Sequence, residues 1–400
     1  MKVAIVGLGL AGTMTAKALH GGDSGVEIEI FGGEPYFYYP RPNLIGYLAG
    51  RLPYDRLFAF PPEWYERQAI GVRLSTVVRR VLAEEKKIET AEGIFFSYDI
   101  LCLADGASAF IPSLAGAGLE GVFTLRSLDD ARALDARVRS HPRVVVVGGG
   151  LLGLEIGRAL GERGADVTIV EIFPHLLPRQ LDAAGAAVLQ RRIEAAGLRV
   201  RTGVLVREIL GRGAAAGLRL ESGETIPAET VILAAGAAPN TSLARSAGLA
   251  VEKGVVVDDH METSRPGIFA AGDGTQHRGR VYGIIPAAVE QARIAAAAIL
   301  GDRSPYPGTT PSNTLKVVGI ALTSAGAIQA ETRGQEELRR EVPEAGIYKK
   351  LVLDEGRLIG AVWLGDRKGA DAVVRAVAER RDVSAIKHDL LGDDFDFGRL

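Results

Sequence analysis

Short apolar runs of strand length, each closed by glycine and followed by a stretch of helical length, recur along this chain. Lys2-Val-Ala-Ile-Val6 leads into Gly7-Leu-Gly9-Leu10-Ala11-Gly12, and Arg143-Val-Val-Val-Val147 leads into Gly148-Gly-Gly150-Leu151-Leu152-Gly153. After the first glycine loop the pattern predicts a helix over about Ala11–His20 and a strand over Val26–Phe31. The strand-and-turn Ile100-Leu-Cys102-Leu-Ala104-Asp105-Gly106 comes later. After the second loop it predicts a helix over about Leu151–Arg163, stopped by the C-cap Gly164. A strand over Asp166–Val170 and the strand-and-turn Val231-Ile-Leu-Ala-Ala-Gly236 follow. The same modules in the same order indicate two copies of one nucleotide-binding unit. Between them, Thr124–Arg139 reads as a connecting helix.

Past Gly236 the pattern leaves the repeat. A third strand, Gly267-Ile-Phe-Ala-Ala271, runs into Gly272-Asp273, and a helix over about Ala287–Leu300 is stopped by Gly301. Asp302–Thr310 is a proline-rich polar linker. Strand-like runs at Leu315–Leu322, Tyr348–Leu353 and Leu358–Leu364 follow, then a helix over about Ala370–Arg380 and an acidic tail. The expected fold is α/β: two Rossmann-like dinucleotide-binding domains and a small C-terminal α+β domain. Residues 1–112 with 244–310 would form the first, 113–243 the second and 311–400 the third.

A length of 400 residues exceeds what one core serves. The net charge of −2 argues against a broad nucleic-acid surface. No apolar run has the length of a membrane span and Met1 leads straight into a strand, so a cytoplasmic protein without membrane association is expected. The single cysteine, Cys102, excludes an internal disulfide framework and a Cys-rich metal site, and its apolar surroundings make it a buried strand residue. His175 and His277 are isolated, so no metal is expected. One G-x-G-x-x-G is a weak signal, but two in strand–turn–helix context imply two dinucleotides. A flavin and a nicotinamide are the usual pair, with electron transfer between them.

Further segments carry a resemblance. They are Glu34-Pro-Tyr-Phe-Tyr-Tyr-Pro-Arg41-Pro42-Asn-Leu with Tyr47-Leu-Ala-Gly50, Phe123–Asp130, Leu176–Asp182, Gly272-Asp273, Tyr282–Ala288 and Thr314–Ile320. With the two loops, they make the chain similar to the FAD-dependent pyridine-nucleotide oxidoreductases. The similarity is greatest to the branch of the NADH:rubredoxin oxidoreductases and the flavin domain of assimilatory nitrite reductases.

The first loop (Gly7, Gly9, Leu10, Ala11, Gly12) suits the pyrophosphate of FAD at a helix N-terminus. Glu34 is the nearest acid after the second strand and a candidate ribose acceptor, or else a loop charge. The resemblance implies that Arg41 and Pro42 lie along FAD and that Val78 meets the adenine through its backbone. It implies that Ala104 and Gly106 form a turn usually read Ala-Thr-Gly, where Asp105 is a departure. It also implies that Asp273, after Gly272, accepts from the ribitol, and that the helix beginning near Ile285 points its N-terminus at the flavin. In the second loop (Gly148, Gly150, Leu151, Leu152, Gly153) the partner acid is Glu171. Its carboxylate suits the ribose hydroxyls of NADH and disfavours the 2′-phosphate of NADPH. Gly236 matches a turn that admits the nicotinamide dinucleotide, and Glu155 a carboxylate near its ring. Lys316 reads equally as a strand lysine or as a cation facing the flavin.

The expected activity is hydride transfer from NADH to FAD, followed by single-electron transfer to a small redox protein, rubredoxin or ferredoxin. Alternatives are an NADH oxidase or peroxidase, or a redox-responsive interaction module. Arg41, Arg56, Lys316, Lys349 and Lys350 are candidate rim charges for an acidic partner, in a monomer or homodimer.

Overall fold

The structure, a computed structural model, describes every residue except Ser24, Pro311 and Asp393, with the backbone alone over 312–317. It forms two compact units. The first comprises Met1–Tyr47, Leu52–Ser108 and Ala237–Thr309; the second comprises Leu48–Arg51, Ala109–Gly236 and Thr310–Leu400. Among the described residues no helix is long and apolar enough to cross a membrane.

The first unit is built on a five-stranded sheet ordered Ile268–Ala270, Ile100–Leu103, Lys2–Val6 (β1), Glu27–Phe31 (β2) and Ile70–Arg73, all parallel. Central parallel strands are covered on both faces, so β1 is apolar from Val3 to Val6, with Val3 and Ile5 fully buried. Helix α1 (Leu10–Gly22) carries the chain from β1 to β2 and packs against the helix Ile285–Ile299. Both helices bury alanines, Ala16 on one and Ala288, Ala292 and Ala295 on the other, and small side chains let packed helices approach closely. The excursion from Ile70–Arg73 to Ile100–Leu103 is an antiparallel sheet of Val78–Leu82, Lys87–Thr90 and Phe95–Ser97.

The second unit repeats the plan. Its parallel sheet is ordered Val122–Phe123, Thr230–Leu233, Arg143–Val147 (β3), Asp166–Val170 (β4) and Arg199–Arg201, with helix α2 (Leu151–Gly161) between β3 and β4. The duplication extends to single hydrogen bonds. Gly7 N–H donates to Phe31 O at 2.9 Å, and Gly148 N–H to Val170 O at 2.8 Å. Ala104 N–H donates to Val6 O, and Ala234 N–H to Val147 O, both at 2.8 Å. The connecting helix begins at Leu128, later than expected, because Ser127 and Asp130 form a capping box: Ser127 Oγ accepts from Asp130 N–H at 3.1 Å and Asp130 Oδ2 from Ser127 N–H at 2.9 Å.

The same unit contains a C-terminal antiparallel sheet ordered Ser312–Val317, Ile320–Gly326, Arg357–Leu364, Ile347–Asp354 and Gln335–Val342. The helix Ala370–Ala378 covers one face, over Leu351, Leu358 and Trp363. The run Leu315–Leu322, expected as one strand, is a hairpin. Val318 and Gly319 turn the chain with φ of +52° and +76°, the left-handed geometry of a tight two-residue turn. The strand Gln335–Val342 gave no apolar signal because it is an edge: Glu336, Arg339 and Glu341 face water, and only Leu338 and Val342 are apolar.

Two expected rim charges are buried. The strand Ile347–Asp354 is covered along nearly its whole length. Lys349 pairs with Asp366 at 2.7 Å and lies over the Trp363 ring. Lys350, 0% exposed, places Nζ 2.9 Å from both Asp182 Oδ2 and Glu337 Oε1. The Tyr348 hydroxyl donates to the same Asp182 oxygen at 2.6 Å, and Asp182 also caps the helix Ala183–Ala195. Burial works to raise the Asp182 carboxyl, but Tyr348, the Gly185 amide and Lys350 together hold it below the usual carboxylate range. Lys350→Ala leaves two carboxylates without their shared cation. Breaking such a pair costs about 3–5 kcal/mol, so thermal unfolding should show a large fall in Tm; an unchanged Tm would refute this account of the cluster.

Candidate functional site

In the first unit three turns at the carboxyl ends of parallel strands converge on the start of α1, the position at which open α/β sheets hold ligands. Gly7 has φ +115°, and a Cβ there would lie 2.2 Å from Ala104 O; a Cβ on Gly12 would lie 1.9 Å from Gly7 O. Gly9 is the N-cap of α1 and has no neighbour within 4 Å of its Cβ position. No side chain caps α1, so the amides of its first turn, at Leu10 and Ala11, are presented to a ligand. At Gly272, φ +98°, a Cβ would lie 2.8 Å from the Ala11 methyl, and its N–H donates to Gln291 Oε1 at 2.9 Å, which places Asp273 beside the loop. A Cβ on Gly274 would meet Gly106 O at 2.8 Å. The helix Ile285–Ile299 likewise starts without a side-chain cap, with Pro286 in its first turn and Ile285 exposed.

Asp105 lies in the second of these turns. Asn240 clamps it, donating Nδ2–H to Asp105 O at 2.7 Å and its own N–H to Gly106 O at 2.9 Å. Loss of solvation pushes the Asp105 carboxyl up to about 7, against its own backbone amide, which works to lower it. Asn240 and Gln291 were not legible as site residues. Each is an isolated polar residue whose partners are backbone groups distant in sequence.

Glu34 and Arg41 are brought to each other. Arg41 Nη2 donates to Glu34 Oε1 at 2.6 Å, and the Tyr39 hydroxyl bonds to both Glu34 and Arg41. The Arg41 guanidinium stands 4.7 Å over the Tyr39 ring, and Pro42 follows it into the helix Asn43–Leu48. Val78 is a buried residue opening the strand Val78–Leu82, paired with Thr90.

The second loop reproduces the first. Gly148 has φ +121° with Ala234 O 2.4 Å from its Cβ position, and Gly148 O lies 1.9 Å from that of Gly153. Gly150 caps α2 in open space without a side-chain cap, and Leu151 and exposed Leu152 form the first turn. The difference is Glu171. It directly follows β4, is buried, and accepts Gly149 N–H at 2.6 Å and Phe173 N–H at 2.9 Å. The residue directly following β2 is Gly32, so the first copy has no acid in that register. Gly236, at φ +114°, accepts from Phe110 N–H at 2.9 Å and has nothing near its Cβ position.

Glu155, on α2, accepts Val318 N–H at 2.6 Å and so ties α2 to the C-terminal hairpin. Burial raises its carboxyl, while the Val318 amide, Arg158 and Arg51 work to lower it. Lys316 lies in the strand Ser312–Val317, and its side chain is outside the described residues. His175 bonds to Leu176 O at 3.1 Å, and buried His277 to Asp259 at 2.8 Å. Among the described residues no three His, Cys, Asp or Glu are placed to hold a metal.

Residues 1–292 match the family described as Pyridine nucleotide-disulphide oxidoreductase, and residues 311–381 match the Rubredoxin NAD+ reductase C-terminal domain. The chain belongs to the pyridine nucleotide-disulphide oxidoreductase family. A nitrite reductase of Bacillus subtilis (strain 168) is 34% identical over 96% of this chain and 48% of its own length, so the chain spans about half of that relative. A rubredoxin-NAD(+) reductase of Ectopseudomonas oleovorans is 33% identical over 92% of this chain and 98% of its own length. The solved covalent complex of putidaredoxin reductase with putidaredoxin superposes with a TM-score of 0.87, at 27% identity over 98% of this chain and 96% of that one. In this member of the pyridine nucleotide-disulphide oxidoreductases the single cysteine, Cys102, is fully buried, and burial pushes its thiol up to about 12. That is far from the thiolate that disulfide chemistry needs.

The two glycine loops allow a stringent test. Gly153→Ala forces a methyl onto a carbonyl, whereas Gly150→Ala adds one in open space. Gly153→Ala should lower Tm by several degrees, as expected of about 2 kcal/mol or more, and Gly150→Ala should leave Tm nearly unchanged. Equal effects would contradict the described packing.

Proposed function

We propose that this chain is an NADH-dependent FAD reductase that passes electrons singly to a small redox protein, rubredoxin or a ferredoxin. The observation carrying this reading is the pair of uncapped glycine loops of which only the second is followed in register by an acid, Glu171. The rubredoxin reductase relative, matched over nearly its full length, and the putidaredoxin complex support the partner class.

The residues fit both dinucleotides. Around the first loop, Gly7, Gly9 and Gly12 leave room for a pyrophosphate against the amides of Leu10 and Ala11, where the helix dipole favours negative charge. With Gly272 held by Gln291, Asp273 would accept from the ribitol hydroxyls, Ala104 and Gly106 would line the same cradle, and the backbone at Val78 would meet the adenine. The helix start at Ile285 favours negative charge on the flavin. Glu34 and Tyr39 fix the Arg41 guanidinium, which with Pro42 would lie along the cofactor. When bound, FAD supplies the hydride acceptor and the capacity to release electrons one at a time. Glu171 already receives two backbone donors and retains lone pairs for ribose hydroxyls of NADH. Gly148, Gly150, Leu151, Leu152, Gly153 and Gly236 admit that dinucleotide. Glu155 would orient the nicotinamide side of the loop. No side-chain nucleophile is required.

The purified protein should be yellow and release one FAD per chain on denaturation. NADH oxidation followed in parallel with rubredoxin, ferredoxin and oxygen should be fastest with a protein acceptor. Fast turnover with oxygen alone would make the chain an oxidase and reject the proposed partner.

The carboxylate of Glu171 should exclude NADPH. A preference for NADH of about tenfold or more in kcat/KM corresponds to about 1.4 kcal/mol or more. Glu171→Arg should move the preference toward NADPH, and equal efficiency of the unaltered protein with both cofactors would remove the role assigned to Glu171.

A further inference from the structure

We propose that Asp105 is a proton-linked determinant of FAD retention: FAD is held with Asp105 in its neutral form, so its affinity falls as the pH rises through neutrality. The proposal rests on the assignment of FAD to the first glycine loop. The Asp105 amide nitrogen lies 2.9 Å from the Cβ position of Gly7, so the residue abuts the loop proposed to hold the pyrophosphate. The backbone there is fixed, because Asn240 holds the carbonyls of Asp105 and Gly106 and Gly274 closes over Gly106.

Among the described residues, the elements around it offer its carboxylate no cation. Its own strand contributes Cys102, whose thiol is neutral. The start of α1, Leu10–Thr15, carries no ionisable side chain, and the segment around Asn240 contributes neutral amide and hydroxyl groups. The turn Gly272–Gly274 brings another acid, Asp273. Incomplete solvation already pushes the carboxyl up to about 7. A bound pyrophosphate adds negative charge to the same pocket and favours the neutral acid further.

The sign follows from linkage. Below about pH 7 the acid is neutral with or without FAD, and affinity is flat. Above that pH the free protein has lost the proton, so binding must take one up, and affinity falls by up to about tenfold per pH unit. A neutral carboxylic acid also offers one O–H donor to a cofactor oxygen, which a carboxylate cannot do.

The test uses full-length holoprotein dialysed at a series of pH values from about 6 to about 9, with free FAD read by its fluorescence and folding by circular dichroism. Calorimetric titration of FAD in two buffers of different ionisation enthalpy reads proton uptake directly. The unaltered protein should lose affinity at least about tenfold between pH 7 and pH 9 and take up about one proton per FAD at pH 8. Asp105→Asn, which keeps the shape and a donor, should bind with no pH slope and no proton uptake. Asp105→Thr should behave alike and serves if the first variant fails to fold. A slope that persists in a folded variant, or its absence in the unaltered protein, overturns the proposal. Folded protein that binds no FAD at any pH overturns the cofactor assignment instead, and this proposal with it.

Discussion

The carbonyl oxygen of Gly7 occupies the space that a side chain on Gly12 would need, and the carbonyl of Gly148 does the same to Gly153. These close contacts pull the first turn of each helix onto the end of its central strand. They fix where the uncapped helix amides point, and they set the neighbouring strand-end turns against the loop. In the first unit the chain from Ala104 to Gly106 and the chain from Gly272 to Gly274 both close on that point. Elsewhere the sheet needs only apolar bulk; here it needs the absence of atoms.

Built on the same contact, the two copies diverge immediately after their second strands. In the second copy the loop amide of Gly149 and the amide of Phe173 grip Glu171, which fixes a carboxylate at the rim. In the first, Gly32 takes that register and the acid is displaced to Glu34, where it is joined to Arg41 and Tyr39. One loop is therefore bordered by a preorganised acceptor and the other by an acid already paired with a guanidinium. The two copies thus carry different electrostatic borders, an amide-held carboxylate in one and a carboxylate–guanidinium pair in the other, through a shift of two positions in chain register.

Much of this was readable from sequence, for a physical reason. A parallel strand buried on both faces must be apolar, and a helix start laid on a strand end must be glycine, so β1, β3 and both loops announce themselves locally. The elements that were misread lack such a signature. The Val318-Gly319 turn hides inside an apolar run, and the strand Gln335–Val342 is an edge that alternates exposed charges with half-buried residues. Asn240 and Gln291 gain their importance from backbone atoms distant in sequence. Lys349 and Lys350 look like surface charges until Asp366, Asp182 and Glu337 are folded around them.

The buried cluster of Asp182, Lys350 and Glu337 bears on how this protein can be taken apart. A family boundary falls at residue 311, and a designer of chimaeras would cut there. Yet the cation of the cluster and one of its acids lie beyond that boundary, and the other acid lies before it, at the cap of a helix in the nucleotide-binding portion. Exchanging either portion for that of a relative orphans a charge in a dry interior unless the partner residue travels with it. The portions that carry the cluster, 109–236 and 310–400, belong with 48–51 to one compact unit, and that unit is the natural block to move whole.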